Sequence, residues 1–391
     1  MSSSGAVWRL DPGITFLNHG SFGACPEPVL AAQAQLRAEM EGEPVRFLSR
    51  ERLEARLDGA RAALGAFVGA NPEDLVFVPN ATTGVNTVLR SLRFGDGDDL
   101  LTTDHVYNAC RNALEFVARA AGARVVVAAV PFPLAGDGQV MEAVLGAVTP
   151  RTRLAVLDHV TSPTGLVLPL AELVRALAAR GVDTLVDGAH APGMVPLDLR
   201  ALGAAYYVGN GHKWLCAPKG AGFLHVRRDR QAGIRPLVIS HGANSPRTDR
   251  SRFRLEFDWT GTHDPTPYLA VPTALSVMEA QLPGGWPALM ARNRTLALEA
   301  RRMLCAALHV APPCPDAMIG ALAAVPLPDG AAPPPPARDP AQVALFELFR
   351  IEAPVMAWPA SPRRLLRISA QIYNSTKEYE RLAEALPAVL V

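Results

Sequence analysis

The sequence predicts a doubly wound α/β fold, with a mainly parallel seven-stranded sheet followed by a smaller α+β C-terminal lobe. Two observations predict it. After Asn71-Pro72, short apolar runs at 75–78, 99–103, 124–130, 153–160 and 184–190 alternate with helical patterns, and runs at 205–208 and 223–226 follow. From Pro265 onward the pattern turns to long helices near 287–308 and 376–389, around one strand at 365–369. A chain of 391 residues can bury a large core and still form a second lobe. The expected organisation is an N-terminal arm over 1–30, a large domain over 31–270 and a small domain over 271–391.

In order, residues 1–30 are rich in Gly, Pro and small polar residues around Leu17-Asn18-His19-Gly20-Ser21-Phe22-Gly23. No helix is expected there, yet the stretch is too densely polar for a plain linker. Two helices follow over 28–67, from the spacing of Leu30, Leu36 and Met40, then Leu53, Leu57, Ala60 and Leu64. Between them, Arg46 and Arg50 read either as surface arginines or as groups that reach a substrate carboxylate. The first strand runs into Asn80-Ala81-Thr82-Thr83-Gly84-Val85-Asn86, which opens a helix. Amides and hydroxyls at a helix start, with the positive dipole end behind them, suit a phosphate. Thr82 and Thr83 serve equally as plain N-caps. After the second strand, Tyr107, or His105 as second choice, fits an aromatic stacked on a flat ligand, and fits a core aromatic at a helix start as well.

Charge and cysteine content exclude several classes. Lys and Arg number 38 against 37 acidic residues, a net charge of +1, so nothing electrostatic favours nucleic acid or an anionic membrane. Five scattered cysteines lack zinc-ligand spacing and read as reduced thiols, with no metal expected. The first residues carry no basic-then-apolar leader and no run is long enough to cross a bilayer, so a soluble cytoplasmic protein is expected. Arg247, Arg250, Arg252 and Arg254 interleave with Asp249, Glu256 and Asp258, which reads as a solvated loop rather than a basic patch. The run 325–340, with Pro333 to Pro336, reads as an exposed polyproline-like loop. No glycine fingerprint follows the first strand and no phosphate loop surrounds Lys213 or Lys219, so nicotinamide and nucleotide readings lose ground.

The chemistry concentrates at 206–223, where Gly209-Asn210-Gly211-His212 leads to Lys213 among apolar and small residues. A partly desolvated lysine loses its proton readily and forms Schiff bases with aldehydes; alternatively its stem packs on Trp214 and its head meets water. Upstream, Asp187 ends an apolar strand, where ligands of open α/β sheets bind. A carboxylate there either caps a turn or keeps a pyridine nitrogen protonated, worth roughly 4 kcal/mol at contact. Such an Asp followed by such a Lys is what pyridoxal phosphate requires.

Seven motifs run along nearly the whole chain: LNHGSFG at 17–23, NATTGVN at 80–86, DHVTSPTG at 158–165, DGAHAPG at 187–193, GNGHKWLCAPKGAGFLHV at 209–226, WTGTHD at 259–264 and RISAQIYN at 367–374. In this order they resemble the class V aminotransferase family of fold type I pyridoxal phosphate enzymes, most of all its isopenicillin N epimerase branch. The resemblance implies a phosphate cup of Ala81, Thr82 and Thr83, with Tyr107 stacked on the ring face opposite Lys213. It implies Ser162 or His190 on the phenolic oxygen, Ser162 standing where related cysteine desulfurases have asparagine. Asn210 and His212 are implied as further cofactor contacts, and Gly261-Thr262 as reaching the phosphate of a neighbouring subunit in a homodimer. Arg367, a lone charge in an apolar strand, matches the arginine that clamps the substrate α-carboxylate. The arm would place Asn18, His19 and Ser21 near substrate.

The implied reaction has Lys213, linked to the cofactor as an imine, displaced by an amino acid and then removing its Cα proton, with Asp187 supporting the ring and Tyr107 as a candidate second acid. Reprotonation on the opposite face makes an amino-acid epimerase, the reading the resemblance favours. Loss of a β-substituent makes a carbon–sulfur β-lyase, the alternative, ahead of an aminotransferase. Cys305 and Cys314 sit in contexts that do not suit a persulfide-forming desulfurase. A non-enzymatic regulator of this fold would carry a DNA-binding arm, and residues 1–30 cannot form a helix-turn-helix.

Overall fold

The computed structural model describes residues 7–330 and 338–390, so the prolines 333–336 lie outside the described residues. Its central sheet has seven strands in the order Leu75–Val78, Gly222–Val226, Tyr206–Asn210, Asp183–Gly188, Thr152–Asp158, Asp99–Thr103 and Arg124–Ala128. Only Gly222–Val226 runs antiparallel, to both its neighbours; the other pairs are parallel. This is the doubly wound sheet that the alternation predicts.

Because helices cover both faces, the central strands are buried throughout and read as continuous apolar runs. Side-chain alternation sorts them. Leu100, Val156, Leu185 and Val208 meet Val85, Val88, Leu114 and Val117 of the helices Ala81–Ser91 and Asn108–Ala121. Leu101, Leu157, Val186 and Tyr207 face the other way, into the core shared with Leu173 and Leu177 of Leu170–Ala178. The carboxyl ends of the parallel strands therefore open on one edge, where Asp158 and Asp187 lie side by side in register.

The C-terminal lobe is a three-stranded antiparallel sheet, Val355–Ala357, Arg364–Ser369 and Leu322–Leu327. Helices Gly285–Ala307 and Thr376–Val389 pack by it, the latter started by a Ser375/Glu378 capping box. Thr15–Phe16 pairs in parallel with Ile351–Glu352, and the Ser369 amide donates to the Leu17 carbonyl at 2.9 Å, which fastens the N-terminal segment to this lobe.

Three sequence expectations change. His19–Phe22 forms one helical turn, because the Gly20 amide finds the Ser369 hydroxyl at 3.0 Å and Ser21 bonds back to Asn18. The run expected as a loop over 325–340 begins inside strand Leu322–Leu327 and ends in a helix start at Pro340 that Asp339 caps. The arginine-rich segment is not a solvated loop. It carries the helix Arg252–Phe257, and Arg254 is 1 % exposed, ion-paired to Asp58, Glu73 and Asp258. Arg61, equally buried, bonds Asp258 at 2.8 Å. The alternating signs find inward partners on the helix Arg50–Val68 instead of water.

Candidate active site

Lys213 follows the end of strand Tyr206–Asn210 on a turn whose amides are consumed locally. Gly211 and His212 donate to the Ala221 carbonyl at 2.8 and 3.2 Å, and Cys216 donates to that of Lys213 at 3.0 Å. The amine is thereby held in one place, with Nζ 3.1 Å from His190 Nε2. Burial lowers the Lys213 pKa to about 8; the nearby positive Arg367 adds to the shift and Asp187 opposes it. His190 is driven well below its usual pKa by burial and then by Lys213, so its neutral ring can accept from the amine. Its Nδ1 is buried without a hydrogen-bond partner among the described residues.

Asp187 is 4 % exposed. Its Oδ1 accepts the Ala189 amide at 3.0 Å and its Oδ2 accepts the Cys110 thiol at 3.0 Å. Burial and the adjacent carboxylate push the Cys110 thiol well above its ordinary pKa, so it stays a donor. Asp158, one strand over, is raised well above the usual carboxylate range by burial and by Asp187. The two acids thus lie side by side on one buried strand edge. Asp187→Asn is expected to keep the fold, since the amide oxygen still accepts from Cys110 or Ala189, while slowing Cα proton exchange about a hundredfold; deuterium incorporation at Cα checks it.

Arg367 is the most informative side chain of the site. Among the described residues the buried arginines are Arg61, Arg254, Arg301, Arg364 and Arg367. The first four pair with carboxylates, Asp258, Asp58, Asp316 and Asp339 among them. Arg367 has only neutral oxygens: the Ser162 carbonyl at 2.6 Å and hydroxyl at 3.2 Å, Ser21 Oγ at 2.9 Å and Asn18 Oδ1 at 3.4 Å. Its pKa falls to about 10 through burial. A desolvated cation held in a fixed orientation without a counter-ion is a binding site for a planar anion.

The other predicted residues divide. Ser21, Tyr107, Ser162, Lys213 and Arg367 line one cavity of about 660 Å³ at the junction of the N-terminal segment, the sheet edge and the C-terminal lobe. Tyr107 is 46 % exposed at its rim. Asn18, and Ser162 through both oxygens, hold Arg367, and the Ser162 hydroxyl keeps its own hydrogen to donate. His19 does not face the cavity. It is fully buried beneath the lysine turn, with Nδ1 at 2.8 Å from Tyr373 Oη, Nε2 at 3.1 Å from the Lys213 carbonyl, and its ring against Trp214. Gly23 permits that approach: its φ is +72°, and a Cβ there would lie 2.1 Å from the His212 carbonyl. His19→Ala is expected to remove about 2 kcal/mol of stability by leaving the Tyr373 hydroxyl unpaired, a loss that denaturant titration measures.

At the helix start, Asn80 is the N-cap, taking the Thr83 amide at 2.8 Å, and Asn210 Oδ1 takes the Ala81 amide at 2.8 Å. Asn210 orients the helix start through Oδ1, and Thr82 is the member of the trio whose amide neither asparagine takes. His212 Nδ1 turns to the Ala221 carbonyl at 3.2 Å. His105 is no stacking residue; it is buried, with its nitrogens on Thr164 Oγ1 at 2.7 Å and the Val130 carbonyl at 3.0 Å. Arg46 is on the surface with Glu43, and Arg50 lines a different cavity beside Glu54 and Arg247, so neither joins Lys213. Gly261 and Thr262 line a third cavity together with Thr83.

Sequence reading missed Asp158, Cys110 and Tyr373. Asp158 closes a strand with the same apolar-run-then-acid pattern as Asp187, a signal that was present. Cys110 and Tyr373 carried none, because their significance lies in partners 77 and 354 residues away.

Comparison with known proteins gives this geometry its family. The solved complex of the cystine C-S lyase C-DES with its product cysteine persulfide matches with a TM-score of 0.80 at 25 % identity, covering 96 % of this chain and 97 % of that one. The fold is that of the fold type I pyridoxal phosphate enzymes. The family described as aminotransferase class-V matches residues 16–256. An isopenicillin N epimerase of Amycolatopsis lactamdurans is 41 % identical over 96 % of this chain and 95 % of its own. A probable chloroplastic L-cysteine desulfhydrase of Arabidopsis thaliana is 31 % identical over 96 % of this chain and 83 % of its own. The chain belongs to the class V aminotransferase family. No helix among the described residues is long and apolar enough to cross a membrane.

Proposed function

We propose that the protein is a pyridoxal phosphate enzyme that removes the Cα proton of an amino acid and returns a proton to the opposite face, an amino-acid epimerase. The observation that carries it is that Lys213, half-buried, and Arg367, buried, neither paired with a carboxylate, open onto one cavity. The residues fit the cofactor. A buried amine, a buried carboxylate at Asp187, a neutral His190 with one unpartnered nitrogen and the Thr82 helix start offer an aldehyde partner, a ring-nitrogen partner, a phenol partner and a phosphate site. When bound, pyridoxal phosphate supplies an electron sink that acidifies the substrate Cα–H.

Each step then falls to the chain. Arg367 grips the α-carboxylate in a bidentate pair and so sets which Cα bond stands over Lys213. Lys213, with its lowered pKa, accepts the Cα proton at Nζ. His190 Nε2, within 3.1 Å, keeps Nζ aimed. Tyr107, at the rim of the same cavity, is the candidate donor to the opposite face. The relative named isopenicillin N epimerase supports this outcome.

A carbon–sulfur β-lyase is the second reading, favoured by the relative named as a desulfhydrase and the likeness to the cystine lyase. All five cysteines are buried, and none lines the Lys213 cavity, which speaks against a desulfurase that forms a persulfide on its own cysteine. Chiral chromatography of a single L-enantiomer incubated with the holoenzyme decides between the two. Accumulation of the D-enantiomer with the carbon skeleton intact is expected; a 2-oxo acid and released thiol from cysteine conjugates would overturn it.

We also propose a cytoplasmic homodimer with domain limits near residues 30 and 270, in which Gly261 and Thr262 reach the partner's phosphate site. Leu237, Val238 and Ile239 support it: they are exposed, and the first two line the cavity that holds Gly261 and Thr262. Sedimentation velocity of the holoenzyme is expected to give a dimer.

A further inference from the structure

We propose that this site takes α-amino acids with a bulky, uncharged, largely apolar side chain, received against Phe22, Met356 and Trp358. The inference rests on the Cα chemistry proposed above and adds the class of substrate.

Size comes first. A cavity of about 660 Å³ lies within the range that encloses drug-sized ligands, room for the cofactor ring and an amino acid together. With the α-carboxylate on Arg367 and Cα over Lys213, the volume that the cofactor leaves free belongs to the side chain.

Charge comes second. Among the described residues lining the cavity, the charged side chains are Lys213, Arg367 and Asp339. The first two are spent on the amino-acid head. Asp339 bonds Arg364 through both oxygens, at 3.0 and 3.3 Å, and caps the helix behind it through the Ala341 amide at 2.8 Å. A carboxylate or ammonium at the far end of a substrate would be desolvated there with no ionic partner, and such burial is costly.

The walls come third. Phe22 is 74 % exposed although it sits on a helical turn pinned between Gly20 and Gly23, so its ring is presented at the mouth and not packed in a core. Trp358, which lines the same cavity, is held in place by the ring of His105 at 4.6 Å between centroids. His105 is itself locked by hydrogen bonds at both nitrogens. The apolar wall therefore exists before substrate arrives, which lowers the entropic cost of using it. An aromatic side chain buried against these groups gains about 1.5–3 kcal/mol.

The test is Cα hydrogen–deuterium exchange by the holoenzyme on L-phenylalanine, L-homophenylalanine, L-alanine, L-cysteine and L-2-aminoadipate. Exchange with phenylalanine and homophenylalanine is expected to exceed that with alanine, cysteine and aminoadipate by roughly 30-fold in kcat/KM, the burial gain above converted at about 1.4 kcal/mol per tenfold. Calorimetric binding of α-methyl-phenylalanine and α-methyl-alanine, which have no Cα proton, should follow the same order. Phe22→Ala should cut the preference for phenylalanine over alanine about fivefold. Efficient exchange that favours alanine, cysteine or aminoadipate would overturn the substrate class while leaving the Cα chemistry standing. Exchange with none of them, together with no calorimetric preference, would sink both.

Discussion

Replacing Lys213 by alanine is expected to abolish the visible absorbance that its linkage to the cofactor gives and to lower Cα exchange by at least about 10⁴-fold. The size of the effect follows from the sequence as much as from the site. The chain has three lysines, Lys213, Lys219 and Lys377. Lys219 is committed to the Gly23 carbonyl at 2.9 Å, and Lys377 is exposed on the C-terminal helix, so no other amine can step in. The pH dependence has a definite sign. Only the unprotonated amine attacks an aldehyde, and burial brings the Lys213 pKa down to about 8. Capture of the cofactor by apoenzyme should therefore accelerate as pH rises, with a midpoint near that value, where an ordinary lysine would still be largely protonated. Rapid-mixing absorbance measurements follow it directly; a pH-independent rate, or an absorbance unaltered in Lys213→Ala, would remove the lysine from the chemistry.

The second large effect belongs to Arg367. Arg367→Ala should leave the cofactor absorbance in place and lower kcat/KM by about 10³, carried mainly by KM, because a buried charged hydrogen-bond pair is worth about 4 kcal/mol when one member is truncated. Arg367→Lys should recover only a small part of this. A point charge does not reproduce two parallel N–H donors, and the oxygens of Ser162, Ser21 and Asn18 are arranged for a planar group. Loss of cofactor absorbance in the alanine variant would instead make Arg367 a structural residue of the cofactor pocket.

Much of this site was legible because it is written in strand ends. Apolar runs closing in Asp187 or leading to Lys213 are one-dimensional signals, and the sheet order makes their carboxyl ends neighbours. Arg367 was legible for the same reason, as one charge inside the apolar run 365–369. What the sequence hid is the direction in which polar side chains turn. Asn18, His19 and Ser21 share one motif, yet Asn18 and Ser21 hold Arg367 while His19 turns beneath Lys213, because one helical turn sends neighbouring side chains to different sides. Asn80 rather than a threonine caps the helix Ala81–Ser91, and Asn210 crosses from another strand to take the Ala81 amide. The buried ion network around Arg61 and Arg254 was hidden too, since charges that pair across about 190 residues look locally like a solvated loop.

The measurement that tests the central claim most directly is proton NMR of the holoenzyme in deuterated water with an L-amino acid carrying a bulky neutral side chain. The account predicts that the Cα proton signal disappears while the side-chain signals persist, and that the recovered amino acid contains the D-enantiomer. A Cα signal that persists undiminished after prolonged incubation would contradict it.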